Sequence, residues 1–236
     1  MFSTPFYKKA AAVFLGLSLA SAPVLADDLD VLGQFLQQNL TSDQDPLGTF
    51  LAENPDDMLE AQAAIAGPLL SSQAALIVNN RTGEVLYQKN MNRVMPIASI
   101  SKLMSAMVVL DARLNMNEVI TITEDEIDRL KGTGSRLSVG TQLTRAQLLH
   151  LSLMSSENRA THALGRTYPG GMSAFVAAMN AKAQSLGMAN SRFYEPTGLD
   201  YRNVSTAADL NKLAAAASRY PQITKNSTST YGSVYT

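Results

Sequence analysis

The 236-residue sequence has no cysteine and only two histidines. Without cysteine there is no thiol nucleophile, no disulfide and no Cys-ligated zinc, so an exported form of this chain must rest on its apolar core. His150 and His162 have eleven residues between them and no accompanying carboxylate triplet. They lack the pattern of a metal site, and no nucleophile elbow supports Ser-His-Asp chemistry, so both read as ordinary helix-face histidines with no metal or cofactor expected. A basic excess is also missing, with 19 Lys and Arg against 20 Asp and Glu. That balance argues against a nucleic-acid binder, which would cluster positive charge on one face.

Long apolar runs are scarce. One lies near the start, where residues 10–20 follow Lys8 and Lys9 and precede Val24-Leu25-Ala26. Charged start, short apolar middle and small-residue end form a signal peptide over residues 1–26, cleaved before Asp27. The run is too short to span a bilayer, being cut by Ser21 and Pro23, and no other window is long and apolar enough. Export leaves 210 residues with 17 basic and 20 acidic side chains, a net charge of −3. Such a length builds one good core or a compact pair of subdomains. No internal repeat is present.

Residues 27–73 read as a weakly patterned leader. Val31, Leu32, Phe35, Leu36 and Leu40 have helical spacing, but polar turn-formers interrupt at residues 41–45 and 54–57. The domain proper covers residues 74–236. Residues 75–79 and 84–89 flank Arg81-Thr82-Gly83 as a β-hairpin. Residues 119–123 form a short strand, and Lys131-Gly132-Thr133-Gly134 a flexible loop without the spacing of a phosphate loop. Glu124, Asp125, Glu126 and Asp128 read as a solvated acidic face. Thr144 and Gln147 predict a capping box at a helix start. Ser155-Ser156-Glu157-Asn158 then breaks the apolar pattern between two helices. Phe175, Val176, Met179, Ala183 and Leu186 predict a helix closed by Gly187. Residues 193–200 have turn chemistry, and Thr206 with Asp209 opens a last helix that stops before Pro221.

The centre of the domain is Pro96-Ile97-Ala98-Ser99-Ile100-Ser101-Lys102 and the run behind it. Residues 103–110 are apolar apart from Ser105, so their helix belongs inside the protein. A lysine heading such a helix has two readings. Either Lys102 snorkels its amine to water while Ser99 caps the helix, or the two form a base and nucleophile one turn apart. Burial would lower the pKa of the amine, allowing it to take the serine proton. Ser156-Glu157-Asn158 supplies the polar groups that the second reading needs. As a tripeptide it also fits a capped helix junction.

Together these motifs resemble those of the penicillin-recognising serine enzymes, the D,D-peptidases and class A β-lactamases. Pro96 to Lys102, Met154-Ser155-Ser156-Glu157-Asn158-Arg159-Ala160 and Glu195-Pro196-Thr197-Gly198-Leu199 are more similar to the low-molecular-mass D-alanyl-D-alanine carboxypeptidases and endopeptidases, in particular the penicillin-binding protein 7 type. The resemblance implies an α/β (α+β) fold of the β-lactamase/D,D-peptidase kind, with a helical region packed on a mainly antiparallel sheet. It implies that Ser99 is the acylated nucleophile, Lys102 its base, Ser156 a proton relay to the leaving amine, and Asn158 a partner for substrate and Lys102. Peptidoglycan peptides are then the substrate, β-lactams the inhibitors and the periplasm the location.

The family's third motif, Lys-Thr-Gly or Lys-Ser-Gly on a strand, has no counterpart after Asn158, where Lys182, Lys212 and Lys225 precede Ala183, Leu213 and Asn226. The resemblance therefore implies a domain incomplete at its C-terminus, with further strands beyond residue 236 and little activity in the chain to Thr236. Two other functions share the motifs. A β-lactamase would use a carboxylate such as Glu195 to activate deacylating water, although Gly198 and Asp200 break the Glu-x-x-Leu-Asn pattern. A catalytically silent wall-binding protein would keep the cleft alone.

Overall fold

A computed structural model of the chain describes residues 70–232. The expected signal peptide, almost all of the expected leader and the last four residues lie outside this range.

The expected hairpin is formed by strands β1 (Ala75–Val78) and β2 (Val85–Lys89), which pair as a two-stranded sheet. Its turn is closed by Gly83 N–H donating to Asn79 O at 2.8 Å, while the Asn79 side chain accepts from Arg81 and Thr82 N–H. Strand β3 (Met95–Pro96) pairs antiparallel with β6 (Val204–Ser205), placing Met95 opposite Ser205. Strand β4 (Val119–Thr121) pairs antiparallel with β5 (Gln142–Thr144), placing Ile120 opposite Leu143. Among the described residues the strands thus form three pairs rather than one continuous sheet. Strand β4 ends two residues before the expected limit, because Thr123 caps a short 3-10 turn, Glu124–Glu126.

Helix α1 (Ser101–Asp111) is the axis of the molecule. From residue 103 to 110 its sequence is apolar apart from Ser105, and Met104, Met107, Val108 and Val109 are buried. It packs against α2 (Arg145–Met154), α3 (Asn158–Arg166), α4 (Gly171–Ser185), α5 (Ala207–Ala217) and α6 (Pro221–Ser227). Those helices add Leu148, Leu149, Leu164, Phe175, Met179, Leu210, Leu213 and Ile223 to the core.

Local signals set most helix ends. Thr144 and Gln147 make the capping box of α2. The Thr206 hydroxyl accepts from Asp209 N–H at 3.1 Å to open α5. Gly187, with φ +69°, follows the end of α4. Helix α6 corrects the expectation that α5 is the last helix. Pro221 occupies the first turn of α6, where a missing N–H is no loss, so this proline starts a helix.

The acidic segment 124–128 needs a second correction. Glu126 is 3 % exposed and lies inside the protein. Its Oε1 accepts from Arg166 Nε at 2.6 Å and lies 3.3 Å from His162 Nδ1, while its Oε2 accepts from Thr123 N–H at 2.6 Å. Spacing along the chain could not reveal this, since the cation comes forty residues later on α3. Burial pushes the Glu126 pKa up, but hydrogen bonds from His162, Arg166 and Thr123 outweigh it and bring the carboxyl down to about 2.

A group held below its ordinary value of 4.5 stabilises the folded state above that value, and the contribution fades as pH falls toward 2. Arg166→Met, which strips the buried carboxylate of its cation, is expected to cost about 3 kcal/mol at pH 7 in urea denaturation. The difference from wild type should narrow below pH 4 as Glu126 protonates in the variant. A difference that stays constant down to pH 3 would contradict the pairing.

Candidate active site

The site forms where α1 begins. Ala98 has φ +46°, a left-handed conformation costing about 1–2 kcal/mol in a residue with a Cβ. This twist turns the chain into a 3-10 turn, Ala98–Ile100, just before α1. Ser99 remains exposed while Lys102, three residues on, is 3 % exposed. The Ser99 side chain caps neither helical segment. Lys102 does not snorkel, so the bland reading of the pair fails on both counts.

The amine of Lys102 meets three oxygens. Its Nζ lies 3.0 Å from Ser99 Oγ, 2.8 Å from Asn158 Oδ1 and 2.9 Å from the Thr197 carbonyl oxygen. Burial lowers its pKa from 10.5 to about 8, against the opposing pull of the Glu195 and Glu157 carboxylates. An ammonium has three protons to donate and no lone pair, and it satisfies all three oxygens. A neutral amine has two N–H and one lone pair. A carbonyl or amide oxygen can only accept, whereas a serine hydroxyl can donate. Deprotonation therefore directs the lone pair toward Ser99, the geometry a general base needs.

Two further polar residues explain the departures from apolar sequence on α1. Ser105 Oγ donates to the Pro196 carbonyl at 2.7 Å, and Ser101 Oγ accepts from Asn203 Nδ2 at 3.0 Å. With Lys102 they join α1 to the turn at residues 194–203. Glu195 organises that turn from inside. Its carboxylate accepts from Thr197 N–H and Oγ1 and from Gly198 N–H, and Asn203 Nδ2 lies 3.1 Å away. A β-lactamase role is disfavoured on this geometry, because the Glu195 oxygens are engaged in holding the turn. Gly198 adopts φ +84°, and a Cβ there would lie 1.8 Å from the Ala98 carbonyl oxygen. Only glycine allows this approach.

Asn158 is the first residue of α3, capped by Glu157, whose side chain accepts from Arg159 N–H. The expected helix after the polar tetrad thus starts two residues earlier than its apolar pattern. Asn158 stands between two cavities. One, of about 430 Å³, is lined by Gly134, Ser135, Arg136, Ser155, Ser156, Glu157 and Asn158. The other, of about 310 Å³, runs from Asp125 to Leu130 and reaches Asn158, His162, Glu195, Thr197 and Leu199.

Ser156 faces the first cavity, exposed and with φ +56°. Such a conformation persists in a non-glycine residue only when its surroundings hold it. Its hydroxyl makes no hydrogen bond to Ser99, Lys102 or Asn158 among the described residues. The structure therefore joins Ser99, Lys102 and Asn158 directly and places Ser156 at the adjacent opening.

No lysine after Asn158 reaches this cluster among the described residues. Lys182 pairs with Asp111, and Lys212 with Asp209. His150 lies 3.2 Å from Asn226, and His162 partners Glu126. Sequence reasoning missed the Thr197 carbonyl, since a backbone acceptor has no signature in the sequence. The Glu195-Pro196-Thr197-Gly198 turn signal marked the place without its partner.

Helices stacked around a buried Ser-x-x-Lys helix define a D,D-peptidase fold. The Streptomyces K15 DD-transpeptidase crystal structure is similar at a TM-score of 0.63 and 29 % identity, over 67 % of this chain and 65 % of that one. The chain belongs to the D-alanyl-D-alanine carboxypeptidase family, whose model matches residues 61–235. A D-alanyl-D-alanine endopeptidase of Pseudomonas aeruginosa is 53 % identical over 159 residues, covering 67 % of this chain and 51 % of that protein. Its counterpart from Escherichia coli is 50 % identical over 168 residues, 71 % of this chain and 54 % of that protein. The chain thus spans about half the length of these curated relatives.

Two measurements check the geometry. In heteronuclear NMR of lysine-labelled protein, the Lys102 amine should titrate near pH 8, and a midpoint near 10.5 would show it solvated. Gly198→Ala should destabilise by about 3 kcal/mol in urea, combining left-handed strain with a backbone clash. A change under 0.5 kcal/mol would mean that the 194–203 turn does not press on Ala98.

Proposed function

We propose that this protein is a serine-type D-alanyl-D-alanine endopeptidase or carboxypeptidase, acting on peptidoglycan stem peptides and cross-links during cell wall remodelling. The observation that carries the reading is the buried Lys102 amine held 3.0 Å from the exposed Ser99 hydroxyl. The endopeptidase names of the two relatives at 50 % identity or more support it. Export to the periplasm fits the composition of residues 1–26.

In the proposed reaction neutral Lys102 takes the Ser99 proton as Oγ bonds to the carbonyl carbon of a D-alanyl peptide bond. The C–N bond breaks, and the proton held by Lys102 reaches the leaving amine through Ser156, the relay that the family resemblance implies. Water then attacks the ester, giving one proton to the base, which returns it to Ser99 Oγ as the ester C–O bond breaks and the acid leaves. One amide and one water become one acid and one amine. With a β-lactam the leaving amine stays tethered to the acyl group, which explains why such a compound would trap Ser99.

Fluorescent penicillin labelling of the full-length protein, with peptide mapping, tests the proposal. Label should appear on Ser99, disappear in Ser99→Ala and fall by at least a hundredfold in Lys102→Arg, whose guanidinium stays protonated. The acylation rate should rise with pH through about 8, the value of the Lys102 amine, and decline in acid. Label on another serine, or none, would overturn the assignment. Penicillin turnover within seconds would instead favour a β-lactamase.

A further inference from the structure

The segment 128–134 is joined to the active site by a hydrogen bond at Thr133. Asn158 Nδ2 donates to Thr133 Oγ1 at 3.1 Å. Thr133 is held in turn by Asp128, whose Oδ2 accepts from Thr133 Oγ1 at 2.7 Å and from Thr133 N–H at 2.9 Å. Asp128 Oδ1 accepts from Leu130 N–H at 2.8 Å and Lys131 N–H at 3.0 Å. Burial pushes the Asp128 pKa up, but these hydrogen bonds outweigh it and bring the carboxyl to about 2, so it is ionised at working pH.

The proton count along this chain of contacts leaves one arrangement. An ionised carboxylate only accepts, so the single Thr133 hydroxyl proton goes to Asp128. The Thr133 oxygen then has only lone pairs to offer Asn158, which must present its NH₂. The amide oxygen is thereby turned to Lys102, at 2.8 Å. A flipped amide would set two acceptors against each other at Thr133. It would also aim an N–H at the Lys102 lone pair, leaving the amine to donate to Ser99 instead of accepting from it.

We propose that Thr133 and Asp128 are positioning residues that fix the orientation of the Asn158 amide and so keep the lone pair of neutral Lys102 on Ser99. The inference rests on the reading of Ser99 and Lys102 as nucleophile and base. It assigns a function to a loop that touches neither of them.

The signature of this role is a pH profile. Loss of the Thr133 hydroxyl leaves the ammonium form of Lys102 unaffected, because the ammonium itself selects the amide oxygen. The neutral form gains the non-productive flipped state. If that state outweighs the productive one by roughly tenfold, about the worth of one hydrogen bond, the alkaline plateau of acylation falls tenfold. The neutral form is stabilised by the same factor, so the midpoint falls by about one pH unit. Rates on the acid limb stay at the wild-type level, since there the lower plateau and the lower midpoint cancel. The other charged groups acting on Lys102, Glu195 from the turn and Glu157 from the cap of α3, remain in place.

The experiment measures fluorescent-penicillin acylation from pH 5 to 10, and the Lys102 NMR titration, in the full-length protein as wild type, Thr133→Val, Thr133→Ser and Asp128→Asn. Thr133→Val should show the lowered plateau, the lowered midpoint and the unchanged acid limb. Thr133→Ser, which restores the hydroxyl, should restore both values. Asp128→Asn, whose amide can donate to Thr133 and release the threonine proton toward Asn158, should move in the direction of Thr133→Val. Equal loss on both limbs of Thr133→Val would show a merely structural role and overturn the inference, as would an unchanged profile. A wild-type protein that takes no label would overturn the proposed function instead. The Lys102 titration needs no acylation, and an unshifted midpoint in Thr133→Val would by itself overturn the orienting role.

Discussion

A primary amine kept out of water is the constraint on which the rest of this structure depends. Removing an ammonium from solvent costs several kcal/mol unless its protons find partners, and Lys102 finds three. The remaining penalty appears as a pKa of about 8, a displacement from 10.5 worth about 3 kcal/mol. The consequence is chemical. At pH 7 about a tenth of such an amine is neutral, against well under a thousandth of a free lysine. The same burial that weakens the fold makes the group able to take a proton.

The three acceptors come from parts of the chain far apart. Ser99 is three residues from Lys102, Asn158 fifty-six and Thr197 ninety-five. Helix α1 therefore has to meet a helix start on one side and a backbone turn on the other. Ser101, Lys102 and Ser105 make the second meeting, each joined to residues 196–203 by a hydrogen bond. Gly198 lets the turn close onto Ala98, and Glu195 and Asn203 hydrogen-bond within the turn, whose Pro196 and Thr197 carbonyls accept from α1.

Asn158 is positioned from the opposite end of its own helix. Arg166, in the last turn of α3, is bound to buried Glu126, and Glu126 also closes the 3-10 turn capped by Thr123. The ion pair thus ties α3 to the segment that leads to Asp128. One connected stretch, residues 123–134, holds the helix at one end and touches its active-site residue at the other. In this way contacts run from a buried charge pair remote from Ser99 to Asn158.

The elements with local signals were legible from sequence. The hairpin around Gly83, the capping box at Thr144 and Gln147, the Thr206 cap and the buried helix behind Lys102 depend on groups within a few residues of one another. The pairing of Ser99 with Lys102 was legible for the same reason, being a contact across one helical turn. The stop before Pro221 was legible, but not the further helix that Pro221 starts, because only the chain that follows decides whether a proline opens one. Glu126 looked like surface because its run is acidic; its cation and its burial come from α3, packed beside it in space. The Thr197 carbonyl and the orientation of the Asn158 amide were beyond any sequence pattern. A backbone oxygen is present at every residue, and the direction of an amide depends on its neighbours. The amino-acid sequence by itself determined which groups could act as nucleophile and base. Only the tertiary structure decided that the base is dry, which oxygens occupy its protons and where its lone pair is left to point, because each of these depends on segments brought together by packing.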